Sequence, residues 1–581
     1  MCGIMGIIGG RPQQHELEAM LTQVQHRGPD DKGYFLDTEL GFGHVRLSIV
    51  DLSAAAAQPM KSPDGRYVLI YNGEFYNHAD FRPQLEARGV RFRSHSDTET
   101  LLWLLIIYGE AILPQINGIF AFAFYDTVTK TVVLARDHMG VKPLYYARAQ
   151  ERLLFASEIK GLFATGEVQP RLNTEDLQEH LMFHFVAGEK TLFYGVNELL
   201  PGHFFKITPS SQRMEQFWSP IQAVRDDLGE EEIAETVRQL LADAMLRQLM
   251  SDVPIGIMLS GGLDSSAVAA FSNPYRGRMR GYCFHDPAHG YDEIENAQQV
   301  ADHFNIDLRP VRICQQSIPD LLVNMTRYYD EPLPRPHTIA AYVLAGAARQ
   351  DGVKVLLTGE GGDEVFGGYR RYVDLGAQMT QTGDLSPLVF ANNRDALVRI
   401  NRLWGQRRFS NAYRFWCSED VRRLDIINQQ LIVDQKTFLQ HFLQRSDRTG
   451  MAVGVETRVP MLDIALVEYL NSLPGRAKVT IDGITKKPLR TALSGVICRR
   501  ILSLPKLPFD MPMGPFLRLG AVAEMLHDLL LTNPRSGTLF PLRALKDLVQ
   551  DMHVESGGNL WKTVWLLLTT EIWLREFKVA I

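Results

Sequence analysis

Val253-Pro254-Ile255-Gly256-Ile257-Met258-Leu259-Ser260-Gly261-Gly262-Leu263-Asp264-Ser265-Ser266 reads as a strand, a tight turn and the start of a helix. Val253 to Leu259 is a short apolar run, Ser260-Gly261-Gly262 supplies the turn, and Asp264 to Phe271 has helical character. Val353 to Leu357 repeats the strand, followed by the glycines of Thr358-Gly359-Glu360-Gly361-Gly362. Alternating strands and helices predict a doubly wound parallel sheet with ligands at the carboxyl ends of the strands. From Pro541 onward the apolar spacing is helical, which predicts a helical C-terminus. Upstream the pattern differs. Tyr67 to Tyr71 and Ile119 to Tyr125 are short apolar runs bounded by Gly, Asn or Asp, and Glu16 to Gln25 and Asp97 to Tyr108 read as helices. That mixture predicts stacked sheets covered by helices. The polar stretch 208–232 reads as a linker, so the chain divides into 1–207 and 233–581, an α/β protein of two domains.

Composition narrows the function. With 581 residues and 45% hydrophobic content the chain can bury more than one core. The 61 Lys and Arg against 67 Asp and Glu are scattered, with no basic block, so no nucleic acid or anionic membrane is expected as a partner. The opening residues lack a secretory signal, and the longest apolar run, Leu101 to Ile107, is too short to span a bilayer. A cytoplasmic protein is the expectation. Five cysteines (Cys2, Cys283, Cys314, Cys417 and Cys498) at wide spacing form neither a disulfide framework nor a zinc site. Four of them read as buried apolar residues. Cys2 stands apart because of its position.

Removal of Met1 would make Cys2 the first residue. A freed α-amine has a pKa of roughly 7.7–8.0 and can serve as the base for its own thiol. Other residues nearby extend that chemistry. The Asn72 amide and the Gly73 N–H, after a strand, can hydrogen-bond a developing oxyanion. Arg46 can clamp a carboxylate bidentately, and Glu74 and Asp97 can hold an ammonium group. Singly, each of these residues also fits a surface salt bridge or a turn. Jointly they are the groups that bind glutamine by its two ends while a thiolate attacks its side-chain amide.

The Ser260 to Ser266 turn offers a second kind of chemistry. Small residues expose backbone N–H groups, the helix start favours anions, and Ser260, Ser265 and Ser266 add hydroxyls. The spacing is not that of a Walker A loop. Alone, a Gly-Gly turn is also an ordinary helix entry.

These motifs resemble two known families joined in one chain. Cys2-Gly3-Ile4, His26-Arg27-Gly28-Pro29-Asp30, Arg46-Leu47-Ser48-Ile49-Val50-Asp51, Tyr71-Asn72-Gly73-Glu74 and Ser96-Asp97 resemble class II glutamine amidotransferase domains, which are amino-terminal nucleophile hydrolases of αββα sandwich fold. The resemblance implies Cys2 as nucleophile and Asn72 and Gly73 as oxyanion hole. It implies Arg46, Leu47, Ile49, Val50, Asn72, Gly73, Glu74 and Asp97 as glutamine-binding residues, and the His26 to Asp30 loop as a segment closing over glutamine. Leu259 to Ser266 resembles the pyrophosphate loop of N-type ATP pyrophosphatases. Thr358 to Tyr369, Glu456 to Asp463, Asp482 to Arg490 and the Leu560 to Trp573 tail resemble the asparagine synthetase family specifically. That resemblance implies ATP contacts by Leu259, Ser260, Gly261, Gly262, Asp264, Ser265, Ser266, Phe284, Thr358 and Gly359. It implies Glu360 beside an acyl-adenylate, Mg²⁺ at Asp264 and Asp363, and Lys486, rather than Lys487, as the catalytic lysine. The implied reaction turns aspartate to asparagine with ATP and glutamine, in an enzyme that is often a homodimer. Relatives lacking the adenylating loop act on phosphoribosyl or sugar phosphates, and β-lactam-forming relatives lack glutaminase. The two sets of motifs together favour neither, nor a non-catalytic binding protein.

Two departures from the family pattern stand out. Gly450 occupies a position where a serine is usual, and Thr358 keeps a hydroxyl where serine is common. More consequential is the run after Asp330-Glu331-Pro332. The family shows a pattern like Ala-Asp-Ser-Ser-Ala-Ile-Pro-Thr-Tyr, whereas this chain reads Pro334-Arg335-Pro336-His337-Thr338-Ile339-Ala340-Ala341-Tyr342. Arg335 favours a carboxylate or phosphate over an amine. A specialised carboxylate acceptor, as in secondary metabolism or polysaccharide modification, is the alternative expectation.

Overall fold

The computed structural model describes residues 2–276, 279–286, 291–313, 317–378, 403, 418–480, 482–506, 511, 513–518, 520–554 and 560–581. Cys314 and Cys417 lie outside them.

The first domain is a sandwich of two six-stranded antiparallel sheets. One runs Val196–Glu198, Tyr145–Ala149, Arg152–Ala156, Gly3–Ile8, Leu40–Arg46, Asp31–Leu36. The other runs Gln212–Gln216, His203–Ile207, Thr131–Arg136, Gly118–Asp126, Tyr67–Phe75, Met60–Lys61. Ile4, Phe42, Ile70, Ala123 and Phe155 fill the space between them. Helix Gln14–Val24 covers the first sheet and helices His78–Ala87 and Asp97–Tyr108 cover the second, giving the expected αββα layering. Because both faces of a central strand are covered, Gly3–Ile8 reads Gly-Ile-Met-Gly-Ile-Ile with no polar alternation.

The polar stretch 208–232 is only partly a linker. Gln212–Gln216 pairs with His203–Ile207 as the edge of the second sheet, and the next helix, Glu230–Gln248, begins inside the stretch. Its Gln-Arg-Met-Glu-Gln sequence is polar because this edge strand is largely exposed. The connection proper is 217–229.

The second domain holds a parallel sheet ordered Asp307–Val311, Arg280–Asp286, Ile255–Met258, Val355–Leu357, Glu456–Arg458. Counted along the chain the order is 3-2-1-4-5, so the winding reverses between Ile255–Met258 and Val355–Leu357. A ligand crevice opens at the carboxyl ends of such a pair. Helices pack on both faces. Ala267, Val268 and Leu241 lie on one side, and Ala340, Leu344 and Ala348 on the other.

Helices Leu542–Val554 and Leu560–Glu576 form the C-terminus. Trp565 and Trp573 share one core with Met5, Leu177 and Leu181 of the first domain and Met325 of the second. Both indoles also hold a loop. Trp565 Nε1 donates to the Leu333 carbonyl at 2.9 Å and Trp573 Nε1 to that of Asp330 at 2.8 Å. Among the described cysteines, Cys283 is buried, but Cys498 is exposed. It precedes the short helix Arg499–Ser503, so it caps a surface turn rather than filling a core.

Candidate active sites and the helix between them

Cys2 lies just before the central strand of the first sheet and is 8% exposed. Its backbone nitrogen donates to Asn72 Oδ1 at 2.9 Å, from the strand Tyr67–Phe75 of the opposite sheet. The two sheets thus meet at the Cys2 backbone nitrogen and the Asn72 amide. Asn72 Nδ2 is buried with no hydrogen-bond partner, a donor aimed where no protein acceptor exists. An orphan donor of this kind is costly unless a bound oxygen uses it. Burial raises the Cys2 thiol pKa, while the Leu47 backbone and the nearby Arg46 guanidinium pull the other way.

Arg46 ends its strand with its head buried, donating to the Ser53 and Asp51 carbonyls. Asp97, at the start of its helix, accepts the Phe75 N–H at 2.9 Å and the Thr98 N–H at 2.8 Å. Glu74 is ion-paired with Arg458 of the second domain at 3.3 Å. Burial first, then the Glu456 carboxylate, raise its pKa well above the usual range. Leu47 and Ile49 pack in a small cluster with Met451, and Val50 packs against it.

The His26 to Asp30 loop is bound to the second domain. The Arg27 guanidinium, fully buried, donates to the Cys2 carbonyl at 3.0 Å, to Glu158 at 2.8 Å and to Asp447 at 2.8 and 3.1 Å. Asp30 pairs with Lys354 at 2.8 Å. Arg448 reaches Glu158 at 2.9 Å and Asp330 at 3.3 Å. Burial lowers the Arg27 pKa, but the carboxylates around it win and raise it. Such a network specifies one docking of the two domains, because removing any member strands a buried charge.

At the switch point of the parallel sheet two glycine turns touch. Gly261 has φ +73°, and a Cβ there would stand 2.4 Å from the Ala297 nitrogen. Gly359 packs on the helix that starts at Leu263, 2.7 Å from Asp264 Cβ if it carried one. Ser260 and Ser265 share a hydrogen bond at 3.1 Å, and Ser266 Oγ is buried without a partner. Lys486 Nζ sits between two carboxylates, 2.5 and 2.6 Å from Asp264 and 2.6 Å from Asp363. The lysine enters from a left-handed conformation, φ 54°, one residue before its helix. A non-glycine residue pays for that geometry with backbone strain. Lys487 points elsewhere, pairing with Glu230 at 2.7 Å. Lys506, which carries no sequence signature, also reaches Asp363. Among the described residues no three His, Cys, Asp or Glu side chains cluster to hold a metal. A magnesium ion at Asp264 and Asp363 fits these two convergent carboxylates if a triphosphate supplies its other oxygens.

A cavity of about 280 Å³ extends from this loop, past Leu259, Phe284, Thr358 and Glu360, to Arg335 and His337. Its far wall is helix Phe438–Met451. Phe438, Phe442, Arg445, Ser446 and Thr449 line the cavity, at the spacing of one helix face. Arg445 pairs with Glu360. The opposite face of the same helix meets the first domain. Gln440 donates to the Met139 carbonyl at 3.0 Å, and Asp447 takes Arg27. Gly450 explains itself here, since a Cβ would stand 2.5 Å from the Val455 carbonyl. The Glu456 to Asp463 signature is a brace. Arg458 donates to the Gln248 and Met250 carbonyls, and Asp463 holds Arg247 of its own domain and Asn117 across the domain boundary.

Glu364 carries a testable titration. It is buried, accepts from Tyr369 Oη at 2.6 Å, and is pushed up to about 8 by burial and then by the Asp363 charge. A carboxyl raised in the folded state holds its proton there while the unfolded chain has lost it. Its stabilisation is full below the unfolded value and is lost as pH rises through about 8. Glu364→Gln should therefore gain thermal stability relative to the parent as pH rises from about 5 to about 8, by up to roughly 1.4 kcal/mol per unit. Parallel melting profiles of the two proteins across that range would show that Glu364 stays ionised.

Residues 1–218 match the glutamine amidotransferase domain family and residues 236–575 the asparagine synthase family. Asparagine synthetase [glutamine-hydrolyzing] 1 of Bacillus subtilis (strain 168) is 29% identical over 99% of this chain and 96% of its own. Amidase chry2 of Gibberella zeae is 30% identical over 89% of each. Amidase chyE of Penicillium rubens is 32% identical over 80% of this chain and 79% of its own.

Proposed function

The chain belongs to the asparagine synthase family and carries a glutamine amidotransferase domain before it, and from that premise we propose that it turns a carboxylic acid into its amide with ATP and ammonia from glutamine. The observation that supports this most is the link between the two sites. Cys2 O, Arg27 and Asp447 are hydrogen-bonded in series, and two residues away on the same helix Arg445 holds Glu360.

In the first half, the Cys2 thiolate attacks the side-chain carbonyl of glutamine. With Met1 removed, the Cys2 amine stands beside Asn72 Oδ1 and takes the thiol proton. Asn72 Nδ2 and the Gly73 N–H take the oxyanion. Ammonia leaves, a thioester forms, and water releases glutamate. Arg46 holds the α-carboxylate and Glu74 and Asp97 the α-ammonium, in a pocket walled by Leu47, Ile49 and Val50.

In the second half, an acceptor carboxylate oxygen bonds to the α-phosphorus of ATP as the α–β bridge breaks. Ser260, Gly261, Gly262, Ser265 and Ser266 hold the departing pyrophosphate, and Lys486 neutralises it. Leu259, Phe284, Thr358 and Gly359 line the nucleotide. Asp264 and Asp363 would hold a magnesium ion, which would shield the charge of the phosphates. Ammonia then bonds to the acyl carbon beside Glu360, and AMP leaves. The expected products are amide, glutamate, AMP and pyrophosphate in equal amounts, measured with glutamine, Mg-ATP and an acceptor acid. ADP and phosphate in place of AMP and pyrophosphate would overturn the adenylate mechanism.

Aspartate is the acceptor that the sequence resemblance implies. A second reading, a different carboxylate, is favoured by one observation: Arg335 and His337 line the same cavity as Glu360.

A further inference from the structure

We propose that the acceptor is an aromatic carboxylic acid bearing a second acidic group, its ring seated against Phe438, Phe442 and His337 and its second anion at Arg335. The proposal rests on the amide-forming reading above.

The rings come first. On helix Phe438–Met451, Leu439 and Leu443 are fully buried in a core, whereas Phe438 and Phe442 remain partly open on the cavity face. They meet edge to face at 5.0 Å, and His337 stacks on Phe442 at 5.9 Å with the planes 27° apart. The faces of these rings carry Arg371 and Arg335 on Phe438 and Arg445 and His337 on Phe442, so it is their edges that a flat, apolar ligand can meet in the cavity, edge to face. A four-carbon amino acid leaves most of that surface wet.

Charge argues in the same direction. An amino-acid acceptor needs a carboxylate for its ammonium group, but the acids here are committed. Glu360 is paired with Arg445, Asp363 with Lys486 and Lys506, and Asp264 with Lys486. Glu364 accepts from Tyr369. Glu293 stands at the other end of the cavity, before the helix whose first turn abuts Gly261. Arg335 adds a guanidinium 5.7 Å from the Phe438 ring, while Arg445, 4.9 Å from the Phe442 ring, is itself taken by Glu360. His337 stays neutral, because burial and these two cations lower its pKa well below the usual value.

The loop that carries Arg335 is fixed. Prolines flank it, Trp565 Nε1 and Thr569 Oγ1 both donate to the Leu333 carbonyl, and His184 Nδ1 donates to that of Pro334 at 2.9 Å. A guanidinium presented from such a loop selects an anion at a set distance from the reacting carboxylate.

Acid-dependent exchange of pyrophosphate into Mg-ATP by the full chain tests this with isophthalate, benzoate and aspartate. Isophthalate should exceed aspartate in kcat/KM by about tenfold or more. Arg335→Ala should lower the isophthalate value roughly ten- to a hundredfold more than the benzoate value, since only isophthalate has the second anion. Aspartate equal to or better than isophthalate, or equal loss for both aromatic acids in Arg335→Ala, would overturn the inference while sparing the amide-forming reaction. Absence of exchange with all three acids would overturn the adenylation reading, and this inference with it.

Discussion

Cys2→Ala should abolish amide formation from glutamine, by a factor of about 10⁴–10⁶, while amide formation from added ammonium salt stays within a few-fold of the parent. The geometry supports so clean a split. The Cys2 side chain lies at the meeting of the two sheets, and the contact that ties this segment to the second domain is made by its carbonyl oxygen, to Arg27. Alanine keeps that carbonyl and the nitrogen that donates to Asn72. The Arg27, Glu158, Asp447 and Arg448 network therefore survives, and with it the helix that presents Arg445 to Glu360. Glutamate release and AMP release, each measured with glutamine and with ammonium chloride, separate the outcomes. A variant that ammonium fails to rescue, at unchanged melting temperature, would mean that the thiol serves the second site too. Residual glutaminase turnover would mean that another nucleophile does the work.

Features legible in the sequence share one property: their signal is local. The Ser260 to Ser266 turn announces itself because a strand can turn into a helix beside another helix only through small residues, and Gly261 is hemmed in by Asn296 and Ala297. Asn72-Gly73-Glu74 is legible for the same reason, as a polar interruption in an apolar strand. Features that escaped the sequence are made by tertiary pairing. Arg27 reads as part of a mobile cover for glutamine, yet its partner lies 420 residues away at Asp447 and fixes it. Phe438, Phe442 and Arg445 form an ordinary amphipathic stripe, and nothing local says that its apolar face meets a cavity rather than a core. Their signal is a mixed one, two aromatic residues and an arginine on one helix face, that sense emerges only beside Glu360 and His337. Lys506 lies in a Leu-Pro-Lys-Leu-Pro run with no chemical company until the chain brings it to Asp363. The polar hairpin 203–216 was hidden because an exposed edge strand and a linker have like composition.

Lys486→Ala should lower ammonia-dependent amide formation by about 10²–10³ and leave glutamine hydrolysis within a few-fold. Charge at the second site is arranged around this one atom. Asp264 and Asp363 both contact its Nζ, and the chain adopts a left-handed turn to place it there. When pyrophosphate departs, negative charge develops between these carboxylates and the loop hydroxyls, where it needs a fixed cation. Lys506 touches Asp363 but not Asp264, and Lys487 is occupied at the surface by Glu230, so neither can substitute. The variant also leaves the two carboxylates with no lysine between them and only Lys506 on Asp363. The Asp363 carboxyl, now held below the usual range chiefly by Lys486 and Lys506 against burial, should rise. That adds a second readout: the pH profile of the residual synthetase activity should shift alkaline relative to the parent, because a higher pH is needed to ionise Asp363. A purely structural lysine would move the melting temperature and both activities together, with no displacement of the profile. Lys487→Ala, by contrast, should behave as the parent in both reactions, and a loss of amide formation there equal to that of Lys486→Ala would reverse the assignment.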